Sequence, residues 1–339
     1  MSGFFRRNVF QATVGGSVTR TRMIKRRHTL YFSDIFTEYI RACEDSGHSG
    51  EMRELAREWM LLYFTNLVPG ITKMLPLFIL NNVMRKIWIS TNLMEDFSIK
   101  ENGGNVEIST EKEAITKAIG ENQFSAGLFI GICNALFRSE VDMVRISQTR
   151  ESCLYIFRLN GKPPEIPASK GRDAYRRLNA LPYRKGFTLE YAFRRNILRL
   201  TGGSKISFRG RPVNLVENTL FHLIGNRSIM LDTVPGISHR FFSRVTGESS
   251  PRERLRLIKT LLQIMGWGSV GIMLKDDAIV LDIRNPPHGI QAGRDNWKFL
   301  TRSVLGYLWL LDRGIRIRDT SVSERHLRIT YGPYATGHQ

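Results

Sequence analysis

Arginine is the side chain that stands out here for chemistry. Its guanidinium stays charged at any physiological pH and offers a fixed fork of donors to phosphate or carboxylate. Arg6, Arg7, Arg20, Arg22, Lys25, Arg26 and Arg27 crowd the first 33 residues. Arg176 and Arg177 follow in the middle of the chain, then Arg194, Arg195, Arg209 and Arg211. The 50 Lys and Arg against 31 Asp and Glu leave a net charge of +19 over 339 residues. That excess is not uniform: residues 1–33 carry +7, 160–191 carry +4 and 192–212 carry +6, while 34–159 carry −4. Clustered arginines that displace counterions predict phosphate binding, and nucleic acid is the expected partner. Phe4, Phe5, Tyr175, Tyr183, Phe193 and Phe208 interleave with them, which suits base stacking and equally the apolar side of a strand. The same charge fits an anionic membrane surface, an acidic protein partner, or a subunit ordered only inside a larger complex.

Other chemistry is sparse. Gly266-Trp267-Gly268-Ser269-Val270-Gly271 spells GxGxxG. It follows a helical pattern and enters a strand, the reverse of a dinucleotide-binding turn, so it is set aside. GxxxxGK[ST] and HExxH are absent, and seven histidines scatter without ligand spacing. Cys43, Cys133 and Cys153 form no CxxC, and so sparse a set fits a reducing, cytoplasmic setting. Cys133 and Cys153 read as small buried hydrophobes, and Glu95-Asp96 and Asp276-Asp277 as solvated turns. No catalytic residue, cofactor or metal is expected; the chain reads as non-enzymatic.

What must position the arginines is a duplicated chain. Phe5-Arg6-Arg7-Asn8-Val9 returns as Phe193-Arg194-Arg195-Asn196-Ile197, and Val68-Pro69-Gly70 as Val234-Pro235-Gly236. A constant offset of 175 then pairs Lys100 with Lys275, Phe124 with Phe299, Gly131 with Gly306 and Arg138 with Arg313. In-register matches of this kind mark an internal repeat. The expected units are a first repeat over 1–159, a basic, proline-containing linker over 160–191, and a second repeat over 192–339. The opening resembles a transit peptide in having seven basic residues and no acid among residues 1–30. Its recurrence inside the chain favours a structural element instead. Leu61 to Leu80 is apolar but carries Asn66, Pro69, Lys73 and Pro76, which points to buried helices broken at proline rather than a membrane span.

Within each unit the pattern is helix, hairpin, helix, hairpin. Phe97 and Ile99 alternate with polar neighbours, as do Val106 and Ile108, around a Gly103-Gly104 turn. Ile272–Leu274 and Ile279–Ile283 repeat the hairpin. Ser250-Pro251-Arg252-Glu253 spells a capping box before a helix that stops at Gly266. Phe124–Phe137 and Phe299–Leu311 read as apolar helices. Val141, Met143 with Cys153, Tyr155, Phe157 read as a closing hairpin, matched by Ile315, Ile317 with Leu327, Ile329, Tyr331. The predicted fold is α+β: two homologous repeats, each an antiparallel sheet with helices packed on one face.

The stretch Phe124 to Val141, closing with Glu151-Ser152-Cys153-Leu154-Tyr155-Ile156-Phe157, resembles the end of the 4-vinyl-reductase-type domain. That family shares its fold with subunits of the TRAPP trafficking tethers and with haem nitric-oxide sensors. The resemblance covers about 35 residues of the first unit and, more faintly, Phe299–Tyr331. It implies a domain that binds an apolar ligand or dimerises through its helices, so that the two linked repeats would form an intramolecular pseudo-dimer, with a pocket beside Phe124, Leu128, Gly131, Phe299 and Gly306. Zinc-holding cysteines of some members have only Cys153 to answer them here, so no metal site carries over. The leading expectation is a regulatory or scaffold protein binding nucleic acid through duplicated Arg-rich lead-in strands. A trafficking-like adaptor at a membrane surface or protein complex, and a sensor of a small apolar ligand, stand beside it.

Overall fold

A computed structural model of the chain describes residues 10–11, 19–21, 27–90, 93–180, 189–201, 205–275 and 277–333. β1 (Phe10–Gln11), β2 (Thr19–Thr21) and β3 (Arg27–Phe32) lead into α1 (Ser33–Asp45) and α2 (Ser49–Leu67). The short α3 (Gly70–Lys73) precedes α4 (Leu77–Ser90), then β4 (Asp96–Asn102), β5 (Asn105–Glu111), α5 (Ala114–Ile119), α6 (Gln123–Phe137), β6 (Val141–Gln148) and β7 (Ser152–Leu159). The joining segment holds α7 (Arg172–Leu178) and α8 (Leu189–Arg194). β8 (Arg199–Thr201), β9 (Lys205–Phe208) and β10 (Arg211–Glu217) open the second half. They lead into α9 (Thr219–Arg227), α10 (Val234–Thr246) and α11 (Pro251–Ile264). β11 (Ser269–Lys275), β12 (Ala278–Arg284), α12 (Lys298–Leu308), β13 (Ile315–Ser323) and β14 (His326–Pro333) complete it.

The class is α+β, with three separate antiparallel sheets. One four-stranded sheet runs β4-β5-β7-β6 and another β11-β12-β14-β13, each with a bulge in its last-named strand, at Met143/Arg145 and Ile317/Asp319. A bulge on an edge strand twists it away from unwanted pairing. The third sheet is central and runs β1-β2-β3-β10-β9-β8, so the lead-in strands of the two halves pair with each other. In that pairing His28 faces Glu217, Leu30 faces Leu215 and Phe32 faces Val213. All six residues of β3 are buried, as fits a strand covered on both faces.

Local chemistry explains most elements. Ser250 Oγ accepts from the Glu253 amide at 3.3 Å while the Glu253 carboxylate accepts from the Ser250 amide at 2.9 Å, the expected capping box of α11. Asn122 caps α6 by accepting from the Ser125 amide at 2.8 Å. The alternating Phe97, Ile99, Val106, Ile108, Tyr155 and Phe157 are buried under α6, with the Phe129 and Tyr155 rings 4.6 Å apart. Among the described residues no helix is long and apolar enough to cross a membrane.

Two expectations need correction. Val68-Pro69-Gly70 ends α2 and starts α3, whereas Val234-Pro235-Gly236 opens α10. The two tripeptides occupy different places, because proline suits both a helix exit and a first helical turn. The second correction concerns the pocket positions. A Cβ at Gly131 would collide with the Arg57 carbonyl, and one at Gly306 with the Pro235 carbonyl. The glycines let α6 press on α2 and α12 on α10. Phe124, Leu128 and Phe299 are buried, Phe124 with its ring 5.5 Å from Phe36 and Phe299 with its ring 5.5 Å from Phe221. The cavity beside α12, lined by Leu300, Ser303 and Val304, holds about 20 Å³, room for a water at most. Gly131→Ala and Gly306→Ala are each expected to lower stability by about 1–3 kcal/mol through backbone collision, read by urea denaturation.

Candidate functional site

Four elements, α1, α5, β10 and α10, meet around a surface cleft of about 280 Å³. α1 contributes Asp34, Thr37, Glu38 and Arg41, a single face at helical spacing. α10 stands opposite with Ile237, Arg240, Phe241, Arg244 and Val245, and Arg211 at the start of β10 closes one end. A second cleft of about 350 Å³ shares Asp34, Thr37 and Ala118 with the first and adds Glu95, Lys112, Lys117 and Lys205. The two are contiguous and cationic.

The carboxylates in this region are occupied. Arg211 reaches Asp34 at 3.5 Å, and Arg41 pairs with Glu38 at 2.8 Å while donating to the Ala118 carbonyl at 2.8 Å. Glu95 accepts from both Lys205 (2.8 Å) and Lys112 (3.0 Å), which holds its carboxyl down at about 2. The expected solvated turn at Glu95 is therefore a clamp joining β9 to the end of β5. Partial burial raises the Asp34 carboxyl above an ordinary aspartate, against the pull of Arg211. Arg240, Arg244 and Lys117 are exposed, and their side chains make neither a hydrogen bond nor an ion pair among the described residues. Arg240 and Arg244 lie one helical turn apart, so their guanidinium groups reach the same groove.

The residues expected to bind anions distribute unevenly. Arg211 lies in the cleft, and Arg209 borders it, donating to the Val245 carbonyl and packing over the Phe208 ring at 5.5 Å. Arg194 and Arg195 sit at the end of the short helix α8 rather than in a strand, with Arg195 over the Tyr191 ring at 5.8 Å. Arg176 and Arg177 lie on α7, paired with Asp173 at 3.9 Å and Glu324 at 3.1 Å. Arg20 falls in β2. Arg6, Arg7, Arg22, Lys25 and Arg26 lie outside the described residues.

Arg27 is a correction. It is buried, and its guanidinium donates to the carbonyls of Pro286 (2.9 Å), Gly266 (3.2 Å) and Asn285 (2.7 Å). It holds β3 to the second half of the chain instead of meeting an anion. Arg41, Arg240, Arg244 and Lys117 were missed by sequence reading because they belong to helices rather than basic runs. The available signal was the i, i+4 spacing of Arg240 and Arg244.

Across the β3–β10 pair lies a second groove built from corresponding elements. α9 follows β10 as α1 follows β3, and α2 packs on α9 as α10 packs on α1. Counting from the facing Leu30 and Leu215, Asp34, Thr37 and Arg41 correspond to Thr219, His222 and Asn226. The glycine contacts align Arg240 and Arg244 with Leu62 and Asn66. This groove is full. Leu62 and Leu67 pack against Tyr175 and Ile290, and the Ile290 amide donates to Thr219 Oγ1 at 2.9 Å. Ser169 donates to Asn66 Oδ1 at 2.8 Å, and His222 Nε2 meets the Pro287 carbonyl at 3.0 Å. Beneath them, buried Glu217 accepts from Tyr175 Oη (3.1 Å), Trp59 Nε1 (3.3 Å) and the Thr219 amide (3.0 Å). Burial raises its carboxyl while these donors oppose the rise.

Nothing in the described residues gathers three or more metal-ligating side chains. The free thiols of Cys43, Cys133 and Cys153 are buried, and burial raises each of them, which disfavours the reactive thiolate. The cleft presents cations on an open surface, an arrangement able to bind an anion. No protein-family model matches the chain, and no curated protein matches it.

Replacing Arg27 by Met leaves three buried carbonyls without their donor. It is expected to cost about 2–4 kcal/mol of stability in urea denaturation while leaving the affinity of the folded protein for polyanions unchanged.

Proposed function

We propose that this chain is a non-enzymatic scaffold of two homologous repeats, arranged as an intramolecular pseudo-dimer, that binds nucleic acid at its cationic face. The observation that carries the reading is the convergence of Arg41, Arg211, Arg240 and Arg244 on one open groove. Lys117 and Lys205 extend it into the adjoining cleft. Arg240 and Arg244, exposed and without an ion-pair partner among the described residues, gain most from phosphate, because each contact releases condensed counterions. The net charge of +19 adds a positive field that favours any polyanion. The pseudo-dimer is supported by the matching order of the two four-stranded sheets and by Leu30 facing Leu215 in the central one. The resemblance to the 4-vinyl-reductase-type and TRAPP-subunit-like domains adds to it, and a scaffold without catalysis is consistent with the buried cysteines.

A membrane-surface or protein-complex adaptor is the second reading. Met74 and Phe78 stand 81% and 69% exposed on the α3–α4 turn, beside Lys73, whose ammonium is lowered first by burial and then by nearby Arg138 and Arg172. Apolar side chains ringed by cations suit an anionic bilayer.

A salt titration separates the readings. Arg240→Glu with Arg244→Glu is expected to weaken binding to mixed-sequence nucleic acid at least tenfold and to flatten the log–log salt slope by about two. Acidification tightens binding, because Asp34, with its raised carboxyl, loses its charge at a higher pH than an ordinary aspartate; Asp34→Asn reproduces that gain at neutral pH. Binding to anionic vesicles alone, untouched by these changes, would favour the adaptor.

A further inference from the structure

We infer that the outward face of the β11-β12-β14-β13 sheet is a second nucleic-acid contact, on which Arg284, Arg318 and Arg328 take phosphates of the backbone. The inference rests on the nucleic-acid reading above and adds to it a surface that shares no residue with the α1–α10 cleft.

The register of the sheet assembles this face. Leu281 faces Ile329 and Ile283 faces Leu327, and all four are buried, so these pairs look inward. The alternate pairs point the other way: Asp282 faces Arg328, and Arg284 faces His326. Directly opposed side chains start about 5 Å apart, so the four form one block on two neighbouring strands. Asp282 lies at its centre with its side chain 12% exposed. Its carboxylate meets Arg328 Nε at 3.5 Å, Arg284 Nε at 3.7 Å, and His326 Nε2.

One carboxylate cannot balance two guanidinium groups. Each arginine comes nearest to Asp282 through Nε, and neither donates a hydrogen bond from its terminal nitrogens to a described residue. Their side chains remain 66% (Arg284) and 51% (Arg328) exposed. Asp282 therefore steadies both arginines from below while their terminal N–H groups stay open to a phosphate. Gly332 admits a third. It follows the inward-facing Tyr331, and a Cβ there would collide with the Arg318 guanidinium. Arg318 is the extra residue of the β13 bulge and lies over that glycine, exposed and without an ion pair among the described residues. Asp319 is the other carboxylate at the outward strand positions, against Lys275, Arg284, Arg318 and Arg328.

The face continues at the β13–β14 turn into the segment that joins the two halves. Arg177 of α7 pairs with Glu324 at 3.1 Å, and Arg325 donates to the Ala180 and Arg177 carbonyls at 3.4 Å. The α7 arginines singled out in the sequence thus border the block of Arg284 and His326. The first sheet offers no such block. Beyond its buried Ile108–Tyr155 pair the outward pairs are Ser109–Leu154 and Glu111–Ser152, with no cation at either, where the second sheet has Asp282–Arg328 and Arg284–His326 beyond Leu281–Ile329. No Phe, Tyr or Trp takes an outward position on the four strands of the second sheet, so bases have no ring to stack on. The contact is to phosphate and indifferent to sequence.

The experiment measures binding of the full chain to a fluorescent mixed-sequence duplex across a salt series, with poly-glutamate as a second polyanion. Arg284→Gln with Arg328→Gln removes two charges from the face. Arg145→Gln with Arg158→Gln removes two exposed charges from the first sheet and controls for the change in net charge. Arg318→Gln, which takes no partner from a carboxylate, tests the face without disturbing Asp282; a circular-dichroism melt checks that each variant folds. The expected result for R284Q/R328Q is at least a fivefold loss of affinity and a log–log salt slope flatter by about two. R318Q is expected to flatten the slope by about one, and the control pair to stay within about twofold of the unaltered protein. Affinities of R284Q/R328Q and R318Q no lower than that of the control would overturn the inference and leave nucleic-acid binding standing. Poly-glutamate bound through Arg284 and Arg328, with no affinity of the unaltered protein for nucleic acid, would overturn the nucleic-acid reading itself and give the face to an acidic protein.

Discussion

The antiparallel pairing of β3 with β10 is the constraint on which the rest of the molecule depends. Each strand closes the lead-in of its own half, and neither finds its inner neighbour there. With Leu30 opposite Leu215, the helices that follow leave the sheet at opposite ends. That single register brings α10 onto α1 and α2 onto α9, and so creates two grooves of the same build. A one-residue slip would exchange the two buried faces of β3 and break the packing on both sides. Arg27 reinforces the register from the side: its guanidinium gathers carbonyls from Gly266, Asn285 and Pro286, more than 200 residues away in sequence.

Much of the local structure was legible because local rules agree with the fold. The alternation at Phe97–Ile108, the turn glycines, the capping box at Ser250 and the long apolar helix at Phe124 each announce an element without help from the rest of the chain. What was not legible is long-range. An arginine in a basic run gives no sign of whether it will meet solvent or a cluster of carbonyls, and Arg27 met the latter. Gly131 and Gly306 looked like room for a ligand, yet a glycine inside a helix serves equally well to let a neighbouring helix approach. The cleft was the hardest part to foresee. Its cations arrive singly from α1, α5, α10 and β10, elements whose proximity follows only from the β3–β10 pairing.

The difference between the grooves carries the functional account. Where the chain covers a groove itself, it uses Tyr175 and Ile290 over Leu62 and Leu67, and satisfies the buried Glu217 with donors from three separate segments. Lys170 and His288 meet at Asp295, whose carboxyl burial alone would raise but whose neighbours, His222 foremost, hold it well below the usual range. That side is finished. On the other side the guanidinium groups of Arg240 and Arg244 make no hydrogen bond or ion pair among the described residues, and Arg244 reaches Asp34 only through its charge. On the proposed reading the two halves offer two corresponding places, and Arg240 and Arg244, where the other groove has Leu62 and Asn66, make one of them the receptor.

Arginine footprinting tests that central claim most directly. Phenylglyoxal modifies accessible guanidinium groups, and mass spectrometry reads each site with and without saturating mixed-sequence nucleic acid. The account predicts strong protection of Arg240 and Arg244, with Arg211 following, while Arg27 stays unlabelled in both states because it is buried. Unchanged labelling at Arg240 and Arg244 with protection confined to Arg176, Arg177, Arg194 and Arg195 would contradict it, and would move the binding face to α7 and α8.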